Sequence, residues 1–267
     1  MKKYAAILRI RFVNSLQYRV AALAGLATQV AWAALGILAL SAFYRADPAA
    51  YPMGFEQSTA YIWLQQAFLP MLMLWFFEDE IFTAIQRGNL AYELVRPIGL
   101  YSKWFCQSVA SRLAKGVLRC APVLLIGCLT PAPYGLMPPP GLAQFILFLL
   151  SLVLGILVVV SFCMLVYIAT FYLVSPAGIK TICVFFADFL AGSTIPLPFF
   201  PDSIRTVVEL LPFASMQNMP LRIYSGDIAG HAAIQSIALQ LFWLLVLVAV
   251  GRWWMNRAAV RATVQGG

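Results

Sequence analysis

Charge is scarce in this chain. Aspartate, glutamate, lysine and arginine make up 10% of its 267 residues, where a soluble domain carries about 25%. Hydrophobic residues account for 62%, and the mean hydropathy is +0.85, so the composition implies an integral membrane protein. Histidine occurs once, at His231, with no acidic neighbour but Asp227. The clustered His, Asp and Glu required for acid–base or metal chemistry at a membrane interface are lacking. No Gly-Lys dipeptide occurs, so the chain lacks the loop that cradles nucleotide phosphates. The five cysteines (Cys106, Cys120, Cys128, Cys163 and Cys183) form no C-x-x-C pair, which argues against a disulfide framework or a zinc site. They read as small residues of a membrane core. The net charge of +8 flanks apolar runs instead of gathering on one soluble face, so nucleic-acid binding is set aside.

What the chain does have is long apolar runs. About 20 residues of helix cross the roughly 30 Å hydrocarbon layer, and six runs are expected to do so: Val20–Phe43, Thr59–Phe77, Phe105–Leu129, Leu142–Ile168, Ile179–Ile195 and Ile234–Gly251. The first is too long for the h-region of a signal peptide, about 7–15 residues. Ser175-Pro176-Ala177-Gly178 and Lys180 divide the fourth run from the fifth, because proline and glycine punctuate helices and lysine prefers the interface. With both termini cytosolic, only Arg45, Arg205 and Arg222 of the 18 basic residues fall outside, a strong orientation signal. The expected fold is all-α: a single polytopic domain over residues 1–267 with six transmembrane helices, both ends cytosolic, in a bacterial cytoplasmic membrane.

Three segments outside the runs carry pattern. In residues 1–19, Ala5, Leu8, Phe12 and Leu16 lie along one helical line with Lys2, Lys3, Arg9 and Arg11 around it, an amphipathic helix suited to anionic membrane lipids. Residues 196–233 hold Pro196, Pro198, Pro201, Pro212 and Pro220 yet remain apolar between them. Such a stretch suits re-entrant outer helices between spans five and six, whose backbone must be covered by protein. Within it, Asp202 is expected to cap a helix with Ile204, Val207, Val208 and Leu211 on one face and an Arg205–Glu209 pair, stopped by Pro212.

The third is the cytosolic region 78–104. Glu78, Asp79 and Glu80 open it, Ile81 and Ile85 keep a helical period, and Gly88-Asn89 interrupts that period. Leu90 and Leu94 resume it until Pro97 stops it. Exposed leucines on a short helix imply docking, either on the chain's own loops or in a partner's groove. Arg112, Lys115 and Arg119 share one face of span three and are expected to neutralise Glu78, Asp79 and Glu80. Asp188 is the acidic residue deep in a span, where a carboxylate costs about 2.5–3.5 kcal/mol on insertion scales. It either pairs with other helices or lines a path.

The pattern G-x-L-x-x-x-L-x-x-P at Gly88–Pro97, with its upstream acidic cluster, resembles the type-2 ABC exporter permeases. Ile195-Pro196-Leu197-Pro198-Phe199-Phe200-Pro201 and the Leu210-Leu211-Pro212-Phe213 stop resemble that family's re-entrant outer segment. The resemblance implies a permease subunit whose ATP-hydrolysing motor, with its ATP and Mg, is a separate ABC ATPase present in two copies. It also implies a second permease subunit, identical or homologous, and export of an amphipathic or bulky substrate (drug, peptide, lipid or glycan). Gly88, Asn89, Leu90, Glu93, Leu94, Arg96 and Pro97 would form the coupling helix, although Asn89 and Ala91 stand where the family has a threonine-rich variant. The amphipathic start would be its gate-region or connecting helix. The chain itself would be no enzyme. The leading rival is a secondary transporter using Asp188 for ion or proton coupling, but such folds usually show internal repeats and several mid-membrane ionisable groups.

Overall fold

The computed structural model describes residues 2–16, 19–48, 51–87, 90, 98–173 and 175–259. Among them every regular element is helical: α1 (Lys2–Leu16), α2 (Arg19–Ala46), α3 (Phe55–Ala67), α4 (Leu69–Leu72), α5 (Asp79–Gln86), α6 (Leu100–Leu129), α7 (Leu142–Ala169), α8 (Pro176–Leu190), α9 (Asp202–Leu210), α10 (Asn218–Tyr224) and α11 (Gly230–Ala259). Short 3-10 turns follow α7 at Thr170–Tyr172 and precede α9 at Leu197–Phe199.

The helix α7 is the axis of the bundle. Its sequence is apolar almost all round, which suits burial on several sides, and α11, α10, α6, α8 and α4 all pack against it. On one side α2, α3 and α6 form a second packed group, and α1 lies along α6. One cluster of buried side chains joins Leu74, Phe77, Ile81 and Phe82 to Met164 and Tyr167 of α7. We call that the basic end, after Arg11, Lys115 and Lys180, which surround α5 there. The cluster at the far end joins Tyr61, Trp63 and Leu64 to Phe148, Leu152 and Leu221.

Three helical stretches of the described residues are long and apolar enough to cross a membrane: Gly25–Ala46, Leu142–Tyr172 and Gly230–Ala259. Large apolar side chains stand exposed along them, among them Trp32, Leu35 and Leu38 on α2, Ile146 and Val153 on α7, and Phe242 and Leu245 on α11. A hydrocarbon solvent accepts such surfaces.

The other three expected runs differ from the expectation. Thr59–Phe77 is not one helix. The helix α3 ends at Ala67, α4 supplies a single turn with Pro70 near its start, and Met73–Glu78 is irregular. Proline at the second position of α4 starts a helix readily but cannot continue one from α3, because it has no N–H to donate backwards. The run Ile179–Ile195 becomes α8, 15 residues long. At 1.5 Å per residue that is about 22 Å, short of the hydrocarbon thickness. The helix α6 is long enough at 30 residues, but Lys103, Arg112, Lys115 and Arg119 make it too polar for the same test.

Candidate functional site

The break in the α3–α4 run is buried, and an interrupted helix leaves carbonyls and amides that must find partners. Arg112 of α6 supplies most of them. It is 2% exposed, and its Nη1 donates to the carbonyls of Met71 (3.2 Å) and Met73 (2.7 Å). Its Nη2 donates to the Phe76 carbonyl (2.9 Å) and to Cys163 Sγ on α7 (3.3 Å). The amides of the segment point to two other helices. The Glu78 N–H donates to the Tyr167 hydroxyl on α7 (2.7 Å). The Asp188 carboxylate on α8 faces the Leu74 N–H and feels the charge of Arg112. Gly116 of α6 makes the close approach possible, since a methyl there would lie 2.1 Å from the Met71 side chain.

Asp188 is therefore not at the centre of a long span. It sits in the last turn of α8, half-buried, and aimed at the break. Arg112, expected to neutralise the acidic cluster, binds backbone carbonyls instead. A guanidinium presents five fixed donors and matches several carbonyls at once.

Beyond the break, α5 carries the acidic cluster at its N-terminal end, and each carboxylate takes a basic partner from a different helix. Lys115 of α6 lies 3.5 Å from Glu78, Lys180 of α8 lies 3.2 Å from Asp79, and Arg11 of α1 lies 2.7 Å from Glu80. Gln107 of α6 adds a bond to Glu80 at 3.3 Å. Of Arg112, Lys115 and Arg119, then, Lys115 pairs with the acidic cluster; Arg119 packs its guanidinium against Gly25 of α2. The Lys180 ammonium also lies over the rings of Phe77 and Phe82, 5.5 and 5.1 Å from their centroids. Ile81 and Phe82 are buried beneath α5, and Leu90 joins the same cluster at 3% exposure. The Leu90 side chain thus docks in the chain's own core. Gly88, Asn89, Glu93, Leu94, Arg96 and Pro97 lie outside the described residues.

At the far end, the segment after α8 is tied deep into the bundle. Gln240 of α11 is fully buried. Its Oε1 accepts from the Ser151 hydroxyl of α7 (2.8 Å), and its Nε2 donates to the carbonyls of Ser151 (3.1 Å) and Ser215 (2.8 Å). A methyl on Gly155 would meet the Met216 carbonyl oxygen at 2.5 Å. Gly155 is 13 residues past Leu142, about 20 Å along α7 at 1.5 Å per residue. Tyr61 and Gln65 of α3 donate to the carbonyls of Gly192 (3.2 Å) and Ser193 (2.5 Å).

The prolines punctuate this segment much as expected. Pro196 precedes the 3-10 turn, Pro198 lies buried inside it, Pro201 precedes α9, and Pro212 follows it. The helix details differ. Asp202 makes no capping bond, since Pro201 is the capping residue. Asp202 pairs with Arg205 at 2.7 Å, and Glu209 pairs with Arg222 of α10. Arg222 also meets Asp227 at 2.5 Å. Burial works against its charge, but Asp227 and Glu209 outweigh it and raise the guanidinium above its ordinary value. Of the expected apolar face, Val208 is buried while Ile204 and Val207 stand exposed. His231 lies exposed in the first turn of α11 rather than on a loop. Among the described residues no group of three His, Cys, Asp or Glu could hold a metal.

Sequence reasoning missed Tyr167, Cys163 and Gln240. Gln240 carried a usable signal, an amide within an apolar run, where polar side chains hold helices together. Tyr167 and Cys163 carried none, because only the fold brings them to the break.

Apolar spanning helices, an interrupted helix run braced through Arg112, and an acidic helix tied to three others define a multi-pass membrane protein. The family described as ABC-2 family transporter protein matches residues 30–266, and the chain belongs to that family. It is the membrane permease of an ABC transporter, a component that works with an ABC ATPase. Among curated proteins no relative matches it.

Proposed function

We propose that the chain is the six-span permease subunit of an ATP-driven exporter, and that α5 with the following segment Gly88–Pro97 transmits the ATPase's movement. The observation that carries this reading is the three-way pairing of α5 to α1, α6 and α8 beside an interrupted helix. A force on the arm reaches three helices through charge pairs, and the irregular Met73–Glu78 segment supplies the joint about which it can turn. In this reading the basic end is cytosolic, as the positive-inside rule favours. Both termini face that side, and α3–α4, α6 and α8 complete the six crossings with their polar groups turned to protein.

Residues 196–233 are then re-entrant, dipping from the outer side to about the middle of α7. The hydrogen bond from Gln240 to Ser215 and the close approach at Gly155 support this. Two ATPase copies bind the ATP and Mg, and the substrate is amphipathic or bulky. The sparsely packed α8 turns Ile182, Phe185 and Phe186 outward, with Phe185 77% exposed, and that aromatic face suits a second permease subunit. Asp188 faces a backbone N–H and the Arg112 charge, which favours bracing over the ion coupling of a secondary transporter.

Leu90→Asp would damage the core and so cannot test coupling. Leu94→Asp is the informative substitution: it should lower ATPase association and export while insertion stays normal. Normal export from the stably inserted variant refutes the coupling assignment.

A further inference from the structure

At the basic end, α6 and α11 touch where the Tyr101 ring lies against Gly251, so closely that a methyl there would meet the ring at 2.8 Å. The wedge between them is an open cavity of about 300 Å³, lined by Tyr101, Ser102, Phe105 and Cys106 of α6 and by Val248 and Arg252 of α11. Its walls are apolar or aromatic, with one cation at the rim. The Arg252 guanidinium lies 5.9 Å from the Tyr101 ring centroid, and among the described residues no carboxylate pairs with it. The Tyr101 hydroxyl is buried and has no hydrogen-bond partner among the described residues.

The surroundings fix the depth of this wedge in a bilayer. Trp254 stacks on Tyr172, and Arg257 lies 4.3 Å from the ring centroid of the exposed Trp253. Tryptophan, tyrosine and arginine gathered at one level mark the headgroup region. A cation at headgroup depth above an apolar groove between two helices matches one class of molecule: acyl chain below, phosphate above. Free phosphate would leave the groove unfilled, and a zwitterionic lipid would set a second cation beside Arg252.

We propose that this wedge binds an anionic phospholipid, its phosphate on Arg252 and the Ser102 hydroxyl and one acyl chain along Phe105 and Val248. The site needs only that the chain sits in a membrane. Its assignment to the inner leaflet rests on the cytosolic reading of the basic end, so the binding can fail without that reading failing, and the reverse.

The test is native mass spectrometry of the full chain released from nanodiscs of mixed phosphatidylglycerol and phosphatidylcholine. Wild type should retain phosphatidylglycerol about fivefold over phosphatidylcholine, the preference expected of one basic residue near an anionic surface. Arg252→Gln should abolish the preference, Arg252→Lys should keep it, and Arg205→Gln at the far end should leave it unchanged. Val248→Trp, which fills the groove while sparing the cation, should lose retained lipid of both kinds. Equal retention of the two lipids by wild type overturns the proposal, as does full retention by Arg252→Gln or Val248→Trp. Displacement of the lipid by inorganic phosphate would identify a free-anion site instead, and loss of the lipid on permease dimerisation would show that protein covers the groove; either result overturns it.

Discussion

Arg112→Met is the sharpest perturbation of the interrupted helix run. Methionine keeps much of the side chain's length and apolar bulk but removes every donor. The carbonyls of Met71, Met73 and Phe76 then lose the guanidinium that now satisfies them, and each buried group left unpaired costs about 1–3 kcal/mol. Relief from no longer burying a cation offsets part of that sum. Asp188 meanwhile loses the positive charge it faces. Breaking a buried pair by removing one partner typically costs about 3–5 kcal/mol, and a net loss in that range is expected. For a chain of this size that corresponds to a melting temperature lower by roughly 6–20 °C. Arg112→Lys keeps the charge but donates from a single point, so about 1–3 kcal/mol should be lost. The assay is thermal melting of the detergent-solubilised permease, with export measured in parallel. Asp188→Asn should be mild alone and should recover part of the loss in the Arg112→Met background, a non-additivity that a double-mutant cycle reads directly. An Arg112→Met protein as stable as wild type refutes the reasoning. It would mean that water, rather than Arg112, satisfies the break.

Gln240→Leu removes the tie between α7, α11 and Ser215 and should cost about 0.6 kcal/mol, the average for hydrogen bonds inside a helical membrane protein, and at most about 1.7 per bond. Thermal melting checks it, and an unchanged melting point counts against the tie. Gly155→Ala sets a methyl against the Met216 carbonyl and should cost about 1–3 kcal/mol by overpacking. A stable variant would mean that the segment yields easily. Lys180→Asp should cost about 1–2 kcal/mol of stability, since the pair is largely exposed but the cation also lies over Phe77 and Phe82. It should lower ATP-driven export much further, with recovery in Lys180→Asp/Asp79→Lys; normal export in the single variant counts against transmission through α5. Single cysteines replacing Ala132 and Ala229 in a cysteine-free background should react with an impermeant reagent from outside intact cells, and one replacing Ala262 should not. Outside labelling at position 262 refutes the cytosolic assignment of that end.

The three apolar helices α2, α7 and α11 were legible because composition decides them: each run is long, free of internal acidic residues, and needs no partner to be read. The division at Ser175–Lys180 was legible for the same local reason, and Ser175 does cap α8, accepting from the Ala177 N–H at 3.3 Å. The break after α3 was not, although Pro70 stood in view, because a membrane helix often carries proline without ending. What lets this one end is that the freed carbonyls find side-chain partners: Gln29 takes that of Gln66 at 2.9 Å, and Arg112, 36 to 41 residues away, takes those that follow. The acidic cluster was rightly read as meeting basic side chains, yet two of its three partners, Arg11 and Lys180, come from outside the helix that sequence spacing pointed to. Spacing reports which residues share a face of one helix. It does not report which helix will face them.

The two kinds of bracing differ in strength, and the difference bears on mechanism. Of the pairs on α5, Lys180–Asp79 and Arg11–Glu80 are largely exposed and worth about 0.2–1 kcal/mol each, so thermal motion can exchange them, whereas the buried Ile81, Phe82 and Leu90 hold the arm to the bundle. The break is held by a buried guanidinium, a tyrosine hydroxyl and a carboxylate on three separate helices, and no one of these can let go without stranding polar groups in an apolar core. An arm seated on the core by its apolar face, beside a firmly held joint, moves as a lever rather than by unravelling. Transport should therefore be sensitive to the charges on α5 at little cost in stability, and stability should be sensitive to Arg112 in the presence or absence of the ATPase. If loss of Arg112 abolished export in a protein that melts like wild type, the guanidinium would be part of the moving element, and the joint would lie elsewhere.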